Sequence, residues 1–293
     1  MKLPSRIQEL YPFKSHFFKT RSGHKLHYVD ESAEKNNVVI FLHGNPTWSF
    51  FYRKLIKRLC QHGRCIGIDH IGCGLSDKPA VTEFKYDLKS HGENVFDLIE
   101  NLGIKNFSLV LHDWGGAIGL SAFKDQSERI NKIVIMNTAA FPSNDVPKRI
   151  LLCRIPILGA FIVRFLNGFA RLASIMAVNK SMESKTKEGF LFPYSSWKNR
   201  IAVWRFVKDI PYEKNHPSLN LLKETELSLS NYNKTPILAC WGMKDFCFHG
   251  DFLNEWIRRL PNISPHRLEN AGHYLLEDEF EECRSKIEPF LFE

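Results

Sequence analysis

Short apolar runs alternate along this chain with segments of helical periodicity. The runs rich in strand-forming residues are "NVVIFLHG" (37–44), the start of "RCIGIDHIGCGLSD" (64–77), "FSLVLHD" (107–113), "NKIVIMNTAAF" (131–141) and "TPILACWGMKD" (235–245). Helices are predicted over 86–104, 116–130 and 251–260. Apolar strands separated by helices are typical of a parallel sheet covered on both faces. The fold class that we predict is therefore α/β, with a mostly parallel central sheet.

Polar residues stand where these apolar runs end. They are His43, Asp69, Asp113, Asn137 and Asp245. In open α/β sheets, ligands bind beyond the carboxyl ends of the strands, so these residues are expected at one edge of the sheet. The chemistry of the protein is expected there.

The stretch "SLVLHDWGGAIGL" (108–120) predicts a sharp turn from a strand into a helix, the nucleophile elbow. Serine usually occupies the tip, but here the tip is Asp113, and Leu111 stands where a small residue is usual. A carboxylate is already ionised at neutral pH. It can displace a leaving group from a saturated carbon and form an alkyl ester, whereas serine suits acyl transfer.

Asp113, Asp245 and His273 follow one another in the order nucleophile, acid, histidine. Alone, an Asp after a strand is often a helix N-cap, and a single His is usually a surface or core residue. Together at strand ends they favour a catalytic interpretation. Asn45, in a tight turn, could aim an N–H inward, and Trp114 adds an indole N–H. We predict no metal site and no cofactor.

The alternation of strands and helices stops for about ninety residues between the last two runs, more than a crossover needs. We interpret 142–215 as an inserted helical cap between core segments 1–141 and 216–293. This cap holds 13 Lys/Arg and 5 Asp/Glu, and the remaining residues balance to zero. Arg164 and Arg171, seven residues apart, are expected on one helix face with an apolar face opposite.

Composition and sequence patterns argue against several other classes of protein. The seven cysteines form no CxxC pair, which argues against a zinc knuckle or a disulfide framework. The longest apolar segment, 150–178, is interrupted by three arginines, so we expect no transmembrane helix and a cytoplasmic location. No nucleic-acid-binding motif is visible. The basic, apolar cap leaves open docking to an anionic membrane or to partner enzymes.

Two motifs carry a resemblance to a known family. With "HGNPTW" (43–48) and "HDWGG" (112–116), the chain resembles the haloalkane dehalogenase-type α/β-hydrolases along almost its whole length. The stretches 69–79, 137–141 and 193–211 are similar to the third subfamily, the β-lactone decarboxylases of long-chain olefin biosynthesis.

The resemblance implies roles for five residues. Asp113 is the nucleophile, His273 the base and Asp245 the acid that orients it. Asn45 and Trp114 match the pair that cradles the leaving group. Some relatives place the acid one strand earlier, where this chain has Asn137, which cannot stabilise an imidazolium as a carboxylate does.

The implied reaction converts a cis-3,4-dialkyl-β-lactone into a cis-alkene and CO2, with a hydrophobic substrate and with enzymes of the olefin pathway as partners. The alternative is hydrolytic halide release from a haloalkane. An epoxide hydrolase would need a cap phenol, for which Tyr194 and Tyr212 are available. A non-catalytic ligand-binding protein is the fourth hypothesis.

Overall fold

An eight-stranded sheet runs through the centre of the molecule. In the computed structural model, which describes residues 3–293, the strands are β1 (Ser15–Lys19), β2 (Lys25–Glu31), β3 (Val38–Leu42), β4 (Arg64–Ile68), β5 (Phe107–Asp113), β6 (Ile130–Thr138), β7 (Ile237–Gly242) and β8 (Ile263–Leu268). Their order is β1-β2-β4-β3-β5-β6-β7-β8. β3 to β8 pair in parallel, whereas β1 and β2 pair antiparallel at one edge.

The five predicted strands are confirmed as β3 to β7. Each is apolar because helices cover both faces of the sheet, and β5 and β7 are buried along their whole length. The three strands that we did not predict are β1, β2 and β8. β1 alternates between exposed and half-buried side chains, so its sequence lacks the continuous apolar run of the central strands.

The helices form layers on the two faces. They are α1 (Ser5–Gln8), α2 (Arg53–Leu59), α3 (Leu88–Asn101), α4 (Trp114–Ala122), α5 (Lys148–Arg154), α6 (Pro156–Ala160), α7 (Gly168–Met176), α8 (Ser184–Leu191), α9 (Ile201–Asp209), α10 (Leu219–Ser228), α11 (Gly250–Arg259), α12 (Leu275–Asp278) and α13 (Phe280–Phe292). Side chains of α3, α4 and α11 join one core. Side chains of α2 and α13 join the other.

Two of the predicted helices agree with the structure and one is too long. α3 and α11 match the predictions, and Asp87 caps α3 by accepting a hydrogen bond from the Ser90 backbone N–H. The helix predicted over 116–130 was wrong at its end, because α4 stops at Ala122. The chain then turns, with the Gln126 N–H donating to the Phe123 carbonyl, before a 3₁₀ turn leads into β6.

Helices α5 to α10 fill the interval between β6 and β7, and α5, α7 and α9 contribute to a small core of their own. Arg154 is buried at the end of α5, and its guanidinium donates to the Val207 and Ile210 carbonyls and pairs with Glu213. The guanidinium therefore fastens α5 to the end of α9. The boundaries 142 and 215 of the cap stay a prediction.

The expectation that Arg164 and Arg171 share one helix face was wrong. Arg164 lies in a π-helical turn, Phe161–Phe165, and Arg171 lies in α7. Asn167, in the left-handed conformation, separates the two elements. The seven-residue spacing therefore spans a break.

No single helix within residues 3–293 is long and apolar enough to cross a membrane. The pair Pro156–Phe165 and Gly168–Met176 passes the same test of length and composition only when taken together, and it is bent by 68°.

Asp209, the last residue of α9, is buried and holds two neighbouring elements. It accepts hydrogen bonds of 2.8 Å from the Leu88 backbone N–H and from the Ser218 hydroxyl. Burial raises the pKa of Asp209 to about 7, against these hydrogen bonds, which act in the opposite direction.

We expect this carboxyl to weaken the fold as the pH rises. Between about pH 4 and pH 7 the folded state holds a proton that the unfolded state has lost, so stability falls across that interval. Asp209→Asn should remove this loss, so the melting temperature of the variant relative to that of the wild type should rise from about pH 4 to about pH 7 and then level off. The exposed Asp125→Asn is the control, and a constant difference across pH for Asp209→Asn would contradict the prediction.

Candidate active site

The turn between β5 and α4 holds Asp113 in a strained conformation, with φ 51° and ψ −125°. Three backbone segments meet there without room for a further carbon atom. A Cβ on Gly44 would lie 1.8 Å from Asp113 Oδ1, and one on Gly115 would lie 2.0 Å from the Leu42 carbonyl oxygen. The Thr138 hydroxyl donates to the Asp113 carbonyl and ties the turn to β6. The turn has the shape of a nucleophile elbow.

Leu111, which departs from the usual elbow pattern, is accommodated by a glycine in α4. A Cβ on Gly119 would meet the Leu111 side chain at 2.8 Å. The larger side chain of Leu111 therefore fits because position 119 has no side chain.

The Asp113 carboxylate is buried and has two unlike oxygens. The Asn45 backbone N–H donates to Oδ1 at 2.6 Å, whereas Oδ2 faces His273 Nε2 at 3.7 Å. Burial raises the pKa of Asp113, against the positive charge of His273 and the N–H donors of Asn45 and Trp114. Oδ2 is therefore the oxygen that faces the imidazole.

His273 is held by Asp245. Its Nδ1 donates to Asp245 Oδ2 at 2.7 Å, and the Cys247 backbone N–H donates to the other oxygen of that carboxylate at 2.7 Å. Burial alone disfavours the charged imidazole, but the carboxylates of Asp245 and Asp113 together raise the pKa of His273 above its ordinary value. The two carboxylates therefore favour the protonated form of the ring.

His112 supports the loop of His273 and was not predicted. Its Nε2 donates to the His273 carbonyl at 2.9 Å, and its ring stacks on Phe51 with the centroids 4.3 Å apart. Burial lowers the pKa of His112 well below its usual range, so the ring is neutral. Its place directly before Asp113 was the only signal in the sequence.

The Asn45 side chain is oriented by α9. Its Nδ2 donates to the Val203 carbonyl at 3.1 Å, while its Oδ1 is buried without a partner among residues 3–293. An amide nitrogen carries two N–H groups, so one remains for a bound group. Asn45 and Trp114 both line the cavity described below.

Asn137 has a structural role at the position that was the other candidate for the acid. Its Nδ2 donates to the carbonyls of Gly242 and Phe248 at 3.0 and 3.2 Å, and its Oδ1 accepts from the Gly242 N–H at 2.8 Å. The amide joins β6 to β7 and the loop after it. Both polar atoms of its side chain are occupied, and neither is hydrogen-bonded to His273.

A cavity of about 160 Å³ lies above Asp113. Asn45, Asp113, Trp114 and His273 line it, whereas Asp245 lies behind His273. Apart from Asp145, the other lining residues are mostly apolar and include Ala139, Phe141, Ile150, Phe169, Ala173, Val207, Ile210, Leu222, Phe246, Phe252 and Tyr274. The structure therefore brings four of the five predicted residues to one apolar cavity and sets the fifth behind it.

Among residues 3–293, no three His, Cys, Asp or Glu side chains are grouped as they would be around a metal ion. The cavity offers a carboxylate, an imidazole and two side-chain N–H donors. Such a set can attack a carbon atom and stabilise a departing anion.

Comparisons with known proteins identify the class. The profile of the alpha/beta hydrolase fold family matches residues 37–280. A haloalkane dehalogenase from Bradyrhizobium elkani has the same fold, with a TM-score of 0.87 over 95% of this chain and 97% of its own, at 21% identity. The chain therefore belongs to the alpha/beta hydrolase fold family.

Relatives in sequence give a narrower placement. A cis-3-alkyl-4-alkyloxetan-2-one decarboxylase from Shewanella oneidensis is 40% identical over 98% of this chain and 91% of its own. Another, from Xanthomonas campestris, is 36% identical over 96% of this chain and 97% of its own. Haloalkane dehalogenase 2 from Mycobacterium bovis is 29% identical over 92% of both chains. These relatives confirm the resemblance to the haloalkane dehalogenases and β-lactone decarboxylases. All of the relatives named here are enzymes.

The structural role of Asn137 can be tested by Asn137→Asp. A carboxylate there cannot donate and would face two backbone carbonyls in a buried position, so we expect a loss of at least about 2 kcal/mol in the free energy of unfolding. Urea denaturation measures it, with the exposed Asn36→Asp as the control. A variant as stable as the wild type would show that the Asn137 amide does not join β6 to β7.

Proposed function

We propose that this protein is a cis-3,4-dialkyl-β-lactone decarboxylase that uses Asp113 as its nucleophile, His273 as its base and Asp245 as the acid that orients His273. The observation that carries the proposal is the elbow itself, which presents a carboxylate to an apolar cavity. The two decarboxylases that are 36–40% identical supply the substrate class.

In the proposed first step, Asp113 Oδ2 attacks the ring carbon C4 of the lactone. The bond between C4 and the ring oxygen breaks, and its electron pair stays on that oxygen, which becomes part of a carboxylate. An alkyl ester of Asp113 forms. The Asn45 amide and the Trp114 indole donate to the new carboxylate, and such donors count most where water is excluded.

In the second step, the bond between C3 and the carboxylate carbon breaks and CO2 departs. The released electron pair forms the double bond between C3 and C4, while the bond from C4 to Asp113 breaks and returns the carboxylate. Attack with inversion followed by an anti elimination gives the cis-alkene from a cis lactone. The two steps consume no water, and they involve no net transfer of a proton.

The pKa of His273 changes during this cycle. In the free enzyme two carboxylates favour the imidazolium. Ester formation removes the negative charge of Asp113, which lowers the pKa of His273 and prepares it to act as a base. Return of the Asp113 carboxylate raises the pKa again, and His273 takes back from the solvent the proton that it had released to it, so the lactone cycle has no net proton transfer.

Haloalkane dehalogenation is the second candidate, favoured by the same nucleophile and by the 29% identical dehalogenase. A halide would leave to the Asn45 and Trp114 donors. Neutral His273 would then take a proton from water, which hydrolyses the alkyl ester. The two routes differ in whether the ester is resolved by fragmentation or by water.

An epoxide hydrolase is less well supported by the cavity. Tyr194 is buried and donates to the Thr47 carbonyl, and Tyr212 is exposed, so neither lines the cavity. The phenol that does line it is Tyr274, which follows His273. A purely ligand-binding role has no specific observation in its favour. The hydrophobic substrate, cytoplasmic location and olefin-pathway partners belong to the proposal.

The nucleophile is tested by Asp113→Asn. The amide is isosteric but a poor nucleophile, so we expect alkene formation from a long-chain cis-β-lactone to fall at least about a thousandfold. Gas chromatography of the alkene measures it, and the exposed Asp125→Asn is the matched control, which should form alkene as the wild type does. Undiminished alkene formation in Asp113→Asn, or none in the wild type at any chain length, would refute the proposal.

His273→Gln separates the two routes. With a bromoalkane, we expect the alkyl ester to accumulate on Asp113, because no base activates water, and mass spectrometry of the peptide detects it. With the lactone, fragmentation needs no water. The rate of alkene release should therefore fall less in this variant than the rate at which the ester formed from the bromoalkane is hydrolysed. Ester accumulation in the lactone reaction with no alkene would contradict the fragmentation step.

A further inference from the structure

The outer surface of helices α5 to α7 is unusually apolar. Fifteen large hydrophobic side chains are exposed among residues 3–293, and ten of them lie between residues 152 and 176. Ile157 is 88% exposed, Phe165 63% and Ile175 58%. We call the exposed side chains of residues 148–176 the outer face.

The outer face is continuous across the three helices. On α7, Arg171, Leu172 and Ile175 are exposed and lie on one side. On α5, Lys148 and Leu152 are exposed one turn apart. Phe161 and Phe165 stack in the turn between α6 and α7. Arg149 approaches Met176 to 3.8 Å, which joins the surface of α5 to that of α7.

The charge on this surface has one sign. Residues 146–182 contain six Lys or Arg and no Asp or Glu. Arg154 points inward and is paired, but Lys148, Arg149 and Arg171 are exposed. A second copy of this chain would bring like charges together across a two-fold interface. A surface that is both cationic and strongly apolar matches an anionic bilayer, which offers charge at its surface and hydrocarbon beneath.

We propose that the outer face docks this protein on the surface of anionic lipid bilayers. α7 adds a reason why the docking would serve the chemistry. Its Phe169 and Ala173 line the cavity, while Leu172 and Ile175 on the same helix belong to the outer face. A helix is about 10 Å across. Docking therefore brings the cavity within about one helix diameter of the lipid, where apolar substrates and products accumulate.

The test is flotation of the full chain with vesicles, without substrate. The wild type should float with mixed phosphatidylglycerol–phosphatidylcholine vesicles, and much less with phosphatidylcholine alone or at high salt. Ile157→Ser, Phe165→Ser and Ile175→Ser combined should reduce binding more than tenfold. Leu227→Ser, which changes a side chain that is 77% exposed on α10, is the matched control and should bind as the wild type does.

The charges are tested separately. Lys148→Gln and Arg171→Gln should each weaken binding to the anionic vesicles about fivefold. Lys89→Gln, on α3, is the control, since its side chain is 75% exposed outside the outer face. None of the altered residues lines the cavity, so turnover of a short-chain lactone dispersed in water should be unchanged in every variant.

Four results would overturn the docking proposal. The first is the absence of vesicle binding by the wild type. The second is equal binding of the wild type to neutral and anionic vesicles, and the third is equal binding by the wild type and the triple variant. The fourth is a self-associated wild type that dissociates in the triple variant and binds no vesicles, which would assign the outer face to a protein interface. Vesicle binding is measured without turnover, so failure of the proposed decarboxylase activity would leave it unaffected.

Discussion

The strained turn at Asp113 is the constraint on which the site depends. Holding a non-glycine residue at φ 51° and ψ −125° costs on the order of 1–3 kcal/mol, and it persists only where the surroundings determine it. Here β5 is buried along its length between β3 and β6, and the backbone of Gly44 closes over the carboxylate. The buried sheet therefore fixes the position of the Asp113 carboxylate.

That same turn determines which neighbours can assist. The N–H of Asn45 reaches Asp113 Oδ1 because the β3 loop has no side chain at Gly44 to hold it away. With Oδ1 occupied, Oδ2 alone faces the imidazole of His273. The two ends of the imidazole thus meet two different carboxylates. That of Asp245 accepts a hydrogen bond from the Cys247 N–H, and that of Asp113 faces the cavity.

Much of the fold and site could be predicted because burial leaves a clear pattern. The central strands are apolar on both faces, so their runs are continuous, and parallel strands bring their polar ends to one edge. Asp113 and Asp245 could be found from this alone, whereas His273 was found because it follows them in the order nucleophile, acid, histidine. β1 escaped because an edge strand is only partly covered, and the break at Asn167 escaped because helical spacing continues on both sides of it.

At the alternative acid position, the structure adds a reason that the sequence did not contain. Asn137 lies near the end of β6 and Asp245 lies after β7, and side-chain chemistry alone already favoured Asp245 as the partner of His273. In the structure, both amide hydrogens of Asn137 are donated to backbone carbonyls, which a carboxylate could not do. Asn137 therefore has a structural role, whereas Asp245 accepts the hydrogen bond from His273. A polar residue at a strand end is thus informative about function only when its own hydrogen-bonding capacity is not consumed by the fold.

The helices over the cavity extend the same reasoning to apolar residues. A helix that is apolar on all sides is ordinarily buried on all sides. α7 is apolar both toward the cavity and toward the outside, and the outside is not covered by any described residue of this chain. The sequence pattern cannot distinguish the face that lines the cavity from the face on the outside, because both consist of apolar residues. The inner face lines the cavity, and the outer face is the surface for which we propose an anionic lipid environment.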